Sequence, residues 1–380
     1  MQQAPLALDA AAHYTADRSG FDIGWEHAHH GLVPPAEMLH PGTPVCQGWM
    51  AGKAVFGRRT LGASRHVRLC LQLRLLAWRR GIGFDTLQVT PNYLRQIEGT
   101  HCPVRRCRLG GAAGHADAAV VVRLNPQAGF AAGNLAVMSA QAAAALERVD
   151  AIQALRQAHA AAAGACAVDG LHAAAWQRLA ALRAFTTPLP FAEAACLPLA
   201  VLPPNRVRLL NAAQGLQALV TQMFIAPGWS ARCRALAQLL PAHTLRHDFN
   251  LFVGAMAPRV LEAGSEPAAL RLALEDAWLH ERVQRRWQHL VLSLGEAGTA
   301  ELLERALQTA GIRPAGLRIV QHTLEQATEG WWTSAPDAAA PSAHNRSIGV
   351  ARTARGFSLA APPASRPKTV APPAAPSTRV

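Results

Sequence analysis

Apolar residues recur at helical spacing through most of the chain, and this spacing predicts a mainly α-helical protein. From Ser64 to Arg80, apolar positions alternate with arginines at a period close to that of an α-helix. Thr90 and Pro91 form a helix-start signal for a second, short helix that reaches about Glu98. Both predicted helices lie in the first third of the chain.

Strand signals are scarce. β-Branched residues cluster in residues 119–123, which makes this segment the best candidate for a strand. An alanine-rich stretch from Ser139 toward Gly164 predicts one long helix. Helical patterning resumes over residues 205–329, where Leu270–Leu294 is the clearest amphipathic part.

The two ends of the chain differ from its middle. The N-terminal region is rich in His, Gly and Pro, so short helices or loops are expected over residues 1–49. Beyond Trp332 the sequence is rich in Pro, Ala and Ser and predicts a disordered tail. The expected organisation is an N-terminal region (1–60), a basic helix with a small module (61–147), a helical domain (148–332) and the tail (333–380).

Composition agrees with packed helices. Half of the residues are hydrophobic while only 6% are aromatic, and the seven cysteines lack the paired spacing of a secreted disulfide framework. No signal-peptide pattern opens the chain, and no apolar run approaches the roughly 20 residues that a membrane helix needs. We therefore expect a cytoplasmic protein without a membrane partner.

The positive charge is concentrated in one segment. The net charge is +13, and residues 50–110 hold twelve Lys or Arg against two acidic residues, a local charge of +10. Most of these are arginines, whose planar guanidinium suits phosphate groups, so we expect DNA or RNA to bind here. A basic face that is merely solvated is the alternative. The arginines expected to bind nucleic acid are Arg58, Arg59, Arg65, Arg68, Arg74, Arg79, Arg80, Arg105, Arg106 and Arg108.

Residues 100–147 carry the strongest local motif. The segment reads Cys-Pro at 102–103, Val-Arg-Leu-Asn at 122–125, Gly-Phe at 129–130 and Gly-Asn-Leu at 133–135, before a helix. This order of strand, glycine turn, strand and helix resembles the ββα-metal core of HNH-type endonucleases. The resemblance implies a small ββα fold and metal-assisted cleavage of a phosphodiester.

The same resemblance assigns roles to single residues. Arg123 matches the basic member of the residue pair that ends the first strand, and Asn134 matches the asparagine that pins the loop. The acidic member of the pair is replaced by Val122, and the Asn or His expected on the helix is replaced by Ala143. An aliphatic side chain can neither ligate a metal nor transfer a proton, so we expect an inactive module.

An active nuclease with substituted ligands is the alternative hypothesis. His115, Asp117 or His101 could substitute as metal ligand or base, which requires that they converge within about 5 Å of a site next to Arg123. Such a site would hold a divalent ion such as Mg²⁺.

A structural zinc is a separate hypothesis, for which the candidate ligands are His101, Cys102, Cys107 and His115. Four residues separate the two cysteines, so they lack the short Cys-x-x-Cys spacing of a zinc knuckle. Two free thiols and surface histidines are the alternative.

Two Gly-Trp units lie upstream, at 24–25 and 48–49, on either side of a Pro-containing connection. Over residues 20–57 this spacing is similar to that of the ribosome modulation factor family, which implies association with the ribosome. The alternative is that Trp25 and Trp49 anchor a core while the glycines let two helices cross closely.

The C-terminal half contains no catalytic motif that we recognise, such as a Gly-rich phosphate loop or a nucleophile elbow. Trp278, Trp287 and Leu290 are expected to be core residues. Three hypotheses follow: an inactive nucleic-acid-binding protein derived from an HNH-like nuclease, an active nuclease with substituted ligands, and a ribosome-associated or protein-binding helical scaffold. A large exposed apolar face on residues 205–330 would favour the scaffold.

Overall fold

The structure, a computed structural model, describes residues 8–112, 114–164, 167–197, 206–312, 318–331 and 355–360. It is mainly helical, as the pattern predicts. The helices are α1 (Leu8–His29), α2 (Pro44–Phe56), α3 (Arg65–Arg79), α4 (Pro91–Ile97), α5 (Ala140–Arg148), α6 (Ala151–Ala163), α7 (Ala173–Phe185), α8 (Phe191–Cys196), α9 (Ala212–Ile225), α10 (Trp229–Leu239), α11 (His243–Glu262), α12 (Pro267–Ala277), α13 (Glu281–Gln308) and α14 (Leu324–Ala327). The strands are β1 (Ala119–Arg123), β2 (Leu135–Ser139), β3 (Arg208–Leu209), β4 (Arg318–Thr323) and β5 (Arg355–Ala360).

The strands form two small antiparallel sheets. β1 and β2 pair over their whole lengths as a hairpin, with Ala119 opposite Ser139 and Arg123 opposite Leu135. In the second sheet, β5 lies between β3 and β4. Since β5 belongs to the predicted disordered tail, that prediction is wrong for this strand. The rest of the tail, residues 333–354 and 361–380, lies outside the described residues.

The predicted long helix from Ser139 to Gly164 is two helices, α5 and α6. The break has a local cause at Asp150, which caps α6: its carboxylate accepts the Gln153 N–H, and the Gln153 side chain accepts the Asp150 N–H. This reciprocal pair is a capping box, and the Asp-x-x-Gln spacing was its signal in the sequence.

The prediction for the N-terminal region is wrong, and the amphipathic stretch of the C-terminal region consists of two helices. The N-terminal region contains a long helix, α1, rather than short helices, because the proline turn signals begin only after it at Pro34. The amphipathic stretch Leu270–Leu294 is divided between α12 and α13, where His280 Nδ1 accepts the Arg282 N–H and caps the second helix.

Glycines allow α1 and α2 to cross closely. A Cβ at Gly24 would lie 1.9 Å from the Val45 carbonyl oxygen, and one at Gly48 would lie 1.9 Å from the Phe21 carbonyl oxygen. The half-buried Trp49 indole donates to the Leu32 carbonyl at 3.0 Å. The close helix crossing is therefore present, while Trp25 and Trp49 are each only partly buried.

Replacing Gly48 with alanine is therefore expected to lower the free energy of unfolding by about 2 kcal/mol. The added methyl meets fixed backbone rather than a movable side chain, and overpacking of this kind outweighs the gain in helix propensity. Gly254, inside α11, has nothing within 4 Å of an added Cβ and is the matched control. Gly254→Ala should stabilise the protein by up to about 1 kcal/mol. Urea unfolding followed by circular dichroism compares the two, and equal effects would contradict the crossing.

The β1–β2 hairpin separates two cores. Val122 on β1 and Ala136 and Met138 on β2 belong to the large core cluster that includes α7 and α9, while Val137 and the half-buried Val121 belong to a cluster with α3 and α4. The alternation follows from the two-residue period of a strand. The large core crosses the boundary predicted at 147/148 without a gap in packing. Within the described residues, no helix is both long and apolar enough to cross a bilayer.

Candidate nucleic-acid interface

The predicted ββα order is present in the structure. Strand β1, the loop of residues 124–134, strand β2 and helix α5 follow one another directly. The Ser139 hydroxyl accepts the Ala142 N–H, which caps α5 where β2 ends. A helix thus follows immediately on a two-stranded hairpin, which is the arrangement that the motif implies.

Asn134 holds the hairpin loop closed. Its side-chain amide donates to the carbonyls of Asn125 and Gly129, both at 3.0 Å, and its Oδ1 accepts the Asn125 N–H at 2.7 Å. The residue is 0% exposed. All three of these hydrogen bonds are made to backbone groups of the same loop. Because Asn134 is fully buried, it holds the loop and cannot touch a substrate.

Arg123 is also committed to this loop. Its guanidinium donates to the carbonyls of Pro126 and Ala128, both at 2.8 Å, and lies over the Phe130 ring at 5.4 Å. Burial is the main cause that lowers its pKa. Both hydrogen bonds are donated by Nη1, so the guanidinium orders the turn through this one nitrogen.

The face that a nuclease would use is filled with aliphatic side chains. Val122 is 7% exposed and Ala143 is 6% exposed, and both belong to the same buried cluster as Trp176 of α7. Helix α7 is fixed over this face by Arg183, whose guanidinium donates to the Leu124 carbonyl at 2.8 Å. Neither a ligand nor a base is present at the two matched positions.

The candidate substitutes lie at the other end of β1. The Asp117 N–H donates to His115 Nδ1 at 3.2 Å, and the Asp117 carboxylate pairs with Arg105. A hydrogen bond from Cys107, followed by that from Arg105, lowers the pKa of Asp117. From this end to Arg123, β1 alone spans about 13 Å at 3.3 Å per residue. The convergence that an active nuclease requires is absent from this part of the described structure.

The two cysteines proposed as zinc ligands make other contacts in the structure. The buried Cys102 thiol lies 3.3 Å from the Ser139 hydroxyl and accepts the backbone N–H of Ser139 at 3.4 Å. Burial, with a smaller contribution from Asp117, raises the pKa of the Cys107 thiol to about 11. Among the described residues, no three His, Cys, Asp or Glu side chains are grouped as metal ligands would be.

Some arginines of the basic segment serve the fold. Arg74 pairs with Glu26 of α1 at 2.6 Å. Arg106 donates to Asp276 of α12 at 2.8 Å and is only 21% exposed. Arg105 is held by Asp117, as described above. These contacts attach neighbouring elements to one another, so we correct the predicted nucleic-acid set by removing the three arginines.

The remaining arginines of α3 lie along one side of the helix, on its outer face. Arg65, Arg68, Gln72 and Arg79 stand at spacings of three, four and seven residues, which place them on one side of the helix. The stripe spans about 21 Å at 1.5 Å per residue. Helix α3 carries no acidic residue. We call Arg65, Arg68 and Arg79, with Gln72, the arginine stripe.

The stripe is available for an external anion. Arg65 pairs with Glu98 and Arg79 with Glu37, but the two arginines remain 70% and 51% exposed, and ion pairs of this kind are weak. Among the described residues, no carboxylate lies within 4 Å of Arg68. The other exposed arginines of the predicted set are Arg58 and Arg59 after α2, Arg80 at the end of α3, and Arg108.

A groove of about 420 Å³ lies beside the stripe, between α3 and the hairpin. We call it the α3–β1 groove. Its apolar lining consists of Leu69, Leu94, Ala119, Val121 and Val137. Its polar lining consists of Arg65, His66, Arg68, Gln72 and Glu98. An apolar floor with a mainly basic rim suits a ligand that combines a flat apolar body with negative charge.

Comparison with family profiles, curated protein sequences and solved structures finds no match to this chain. The resemblances to HNH-type endonucleases and to ribosome modulation factor therefore stay predictions.

Sequence reasoning identified Arg65 and Arg68 but missed their partners in the groove. Glu98 and His66 bond to each other at 3.0 Å across 32 residues, and Val121 and Val137 reach the groove only because the hairpin forms. The unbroken run of apolar residues in β1 was the available signal, and its members project from both faces of the strand. They indicate two packed faces, but not what packs on each.

Proposed function

We propose that the protein binds nucleic acid without cleaving it, and that its ββα module derives from an HNH-like nuclease whose catalytic face has become part of the core. The single observation that carries the proposal is the arginine stripe, a face about 21 Å long on a helix that contains no acidic residue of its own. Binding is expected on the α3 side of the hairpin. The opposite side, which a nuclease would use, is packed against the helical domain.

Charge supports a polyanionic partner. Residues 50–110 contain twelve basic and two acidic residues. After the arginines that serve the fold are set aside, Arg65, Arg68 and Arg79 lie along one side of α3. Arginine contacts with phosphates release counterions, which makes binding strong at low salt and independent of sequence. The stripe therefore suits the backbone of DNA or RNA.

The double variant Arg65→Glu/Arg68→Glu is expected to weaken nucleic-acid binding 10- to 100-fold at low salt. Each lost phosphate contact should also reduce the slope of log Kd against log salt by about one. The matched control is Arg234→Glu/Arg282→Glu, which makes the same change in net charge at exposed arginines of α10 and α13. Fluorescence anisotropy with labelled strands measures both.

Equal losses in the two double variants would mean that only net charge matters, and would contradict a site on α3. Absence of binding by the unmodified protein at low salt would contradict the proposed function altogether.

A protein-binding scaffold is less well supported. Among the described residues of 206–312, the large exposed apolar side chains are Leu261, Leu272 and Leu292, which lie singly on α11, α12 and α13. Single exposed residues need no functional explanation. The large apolar face that would favour a scaffold is therefore missing from this part of the described structure.

A ribosome-associated role is the second candidate. It is supported by the exposed basic residues Lys53, Arg58 and Arg59, which lie at and just after the end of α2 and could bind RNA phosphates. It shares the chemistry of RNA binding with the first candidate.

A further inference from the structure

Resting on the proposed function, we propose that the α3–β1 groove receives the base of an unpaired nucleotide, so that the protein selects single-stranded nucleic acid over duplex. The groove adjoins the arginine stripe directly, since Arg65 and Arg68 belong to both. A strand whose phosphates follow the stripe would therefore carry its bases past the opening of the groove.

The floor suits the face of a base. Five aliphatic side chains line it, and the volume of about 420 Å³ is within the range of roughly 300 to 1,000 Å³ common for small-ligand pockets. A base within a duplex is paired and stacked, and extracting it costs a few kcal/mol. An unpaired base meets little of that cost, which is the physical origin of the selectivity.

The rim suits the edge and the phosphate of a nucleotide. The Glu98 carboxylate is held by Arg65 at 2.6 Å and by His66 at 3.0 Å, and it remains about one-third exposed. Its oxygens can accept a hydrogen bond from the exocyclic amino group of a base. Arg68, with no carboxylate within 4 Å in the described structure, is placed for the phosphate.

The groove is open to an incoming strand. Ala119 is exposed and Val121 half-buried on β1, which pairs only with β2 in its sheet within the described residues. An extended peptide added to this free edge would be the competing occupant. The arginine stripe favours the nucleotide, because it continues along α3 well past the groove to Arg79 and matches a repeating negative charge.

The test blocks the α3–β1 groove with a bulky side chain. Ala119→Trp places an indole on the floor at an exposed position, and Ala144→Trp places one at an exposed position of α5, outside the groove lining, as the matched control. Anisotropy titrations use 12-nucleotide single strands of RNA and DNA, the duplexes of the same sequence, and a 12-residue peptide of alternating Asp and Glu. Thermal unfolding confirms that both variants are folded.

The unmodified protein is expected to bind single strands at least tenfold more tightly than duplex. Ala119→Trp should lower the single-strand affinity about tenfold and change the duplex affinity less than twofold, while Ala144→Trp changes neither. Equal affinity for single strand and duplex, both lost in Arg65→Glu/Arg68→Glu, would overturn the groove assignment and leave the proposed function intact. An unaffected Ala119→Trp variant, or tighter binding of the acidic peptide, would overturn it as well. No binding to any nucleic acid would remove the proposed function itself.

Discussion

The Val122→Asp variant is expected to lose about 4 kcal/mol of unfolding free energy and to gain no nuclease activity, even when combined with Ala143→His. These changes restore the side-chain types that the HNH resemblance implies. Val122 is nevertheless buried in the large core cluster beneath α7, where a carboxylate would lack both water and a partner. No metal ion can reach this carboxylate to offset the cost, because α7 covers the face that the ion would have to enter.

Val120→Asp is the matched control, because the same substitution is made on the same strand and face at a residue that is 36% exposed. Its cost should stay near 1 kcal/mol, the range of strand propensity. Urea unfolding gives both free energies, and a plasmid-nicking assay with Mg²⁺ or Mn²⁺ detects activity. Two results would contradict the burial of this face under α7. One is an equal loss of unfolding free energy in Val122→Asp and Val120→Asp, and the other is DNA cleavage by Val122→Asp/Ala143→His.

Replacing Asn134 with alanine should lower the free energy of unfolding by about 3 kcal/mol. The variant loses three buried hydrogen bonds and leaves the Asn125 N–H without its acceptor. Unsatisfied buried groups cost about 1 to 3 kcal/mol each, beyond the bonds themselves. Chemical unfolding monitored by circular dichroism measures the loss.

Asn92→Ala is the control for this substitution. Asn92 is exposed, and its Oδ1 accepts one hydrogen bond, from Arg95 at 2.7 Å. The control should stay within about 0.5 kcal/mol of the unmodified protein. Similar small effects at both positions would mean that the loop is not held through Asn134, and would weaken the comparison with the HNH loop.

Elements with local causes were predictable from the sequence. Helix α3, strand β1 and the order of the ββα module follow from periodicity, β-branching and glycine turns within a few residues. The buried Trp278 and Trp287 were likewise predicted as core. The capping box at Asp150 was also local, but the alanine-rich composition on both sides concealed it.

Features that depend on distant partners were not predictable. Arg106 looked like a phosphate ligand until the structure placed it beside Asp276, 170 residues away. Strand β5 forms by pairing with β3 and β4, far from it in sequence. The groove likewise needs residues from α3, α4 and both strands of the hairpin. In each case the sequence shows which residues are charged or apolar. It does not show which distant residues they contact, because tertiary packing brings those partners together.

The central claim, binding without cleavage, is tested most directly by one titration. Labelled single strands and duplexes of RNA and DNA are mixed with the protein across a salt series containing Mg²⁺ or Mn²⁺, and anisotropy and strand integrity are read from the same tubes. The account predicts affinity that falls steeply with salt, with a log–log slope of about two to four, while every strand stays intact. Metal-dependent cleavage, or no binding at low salt, would contradict it.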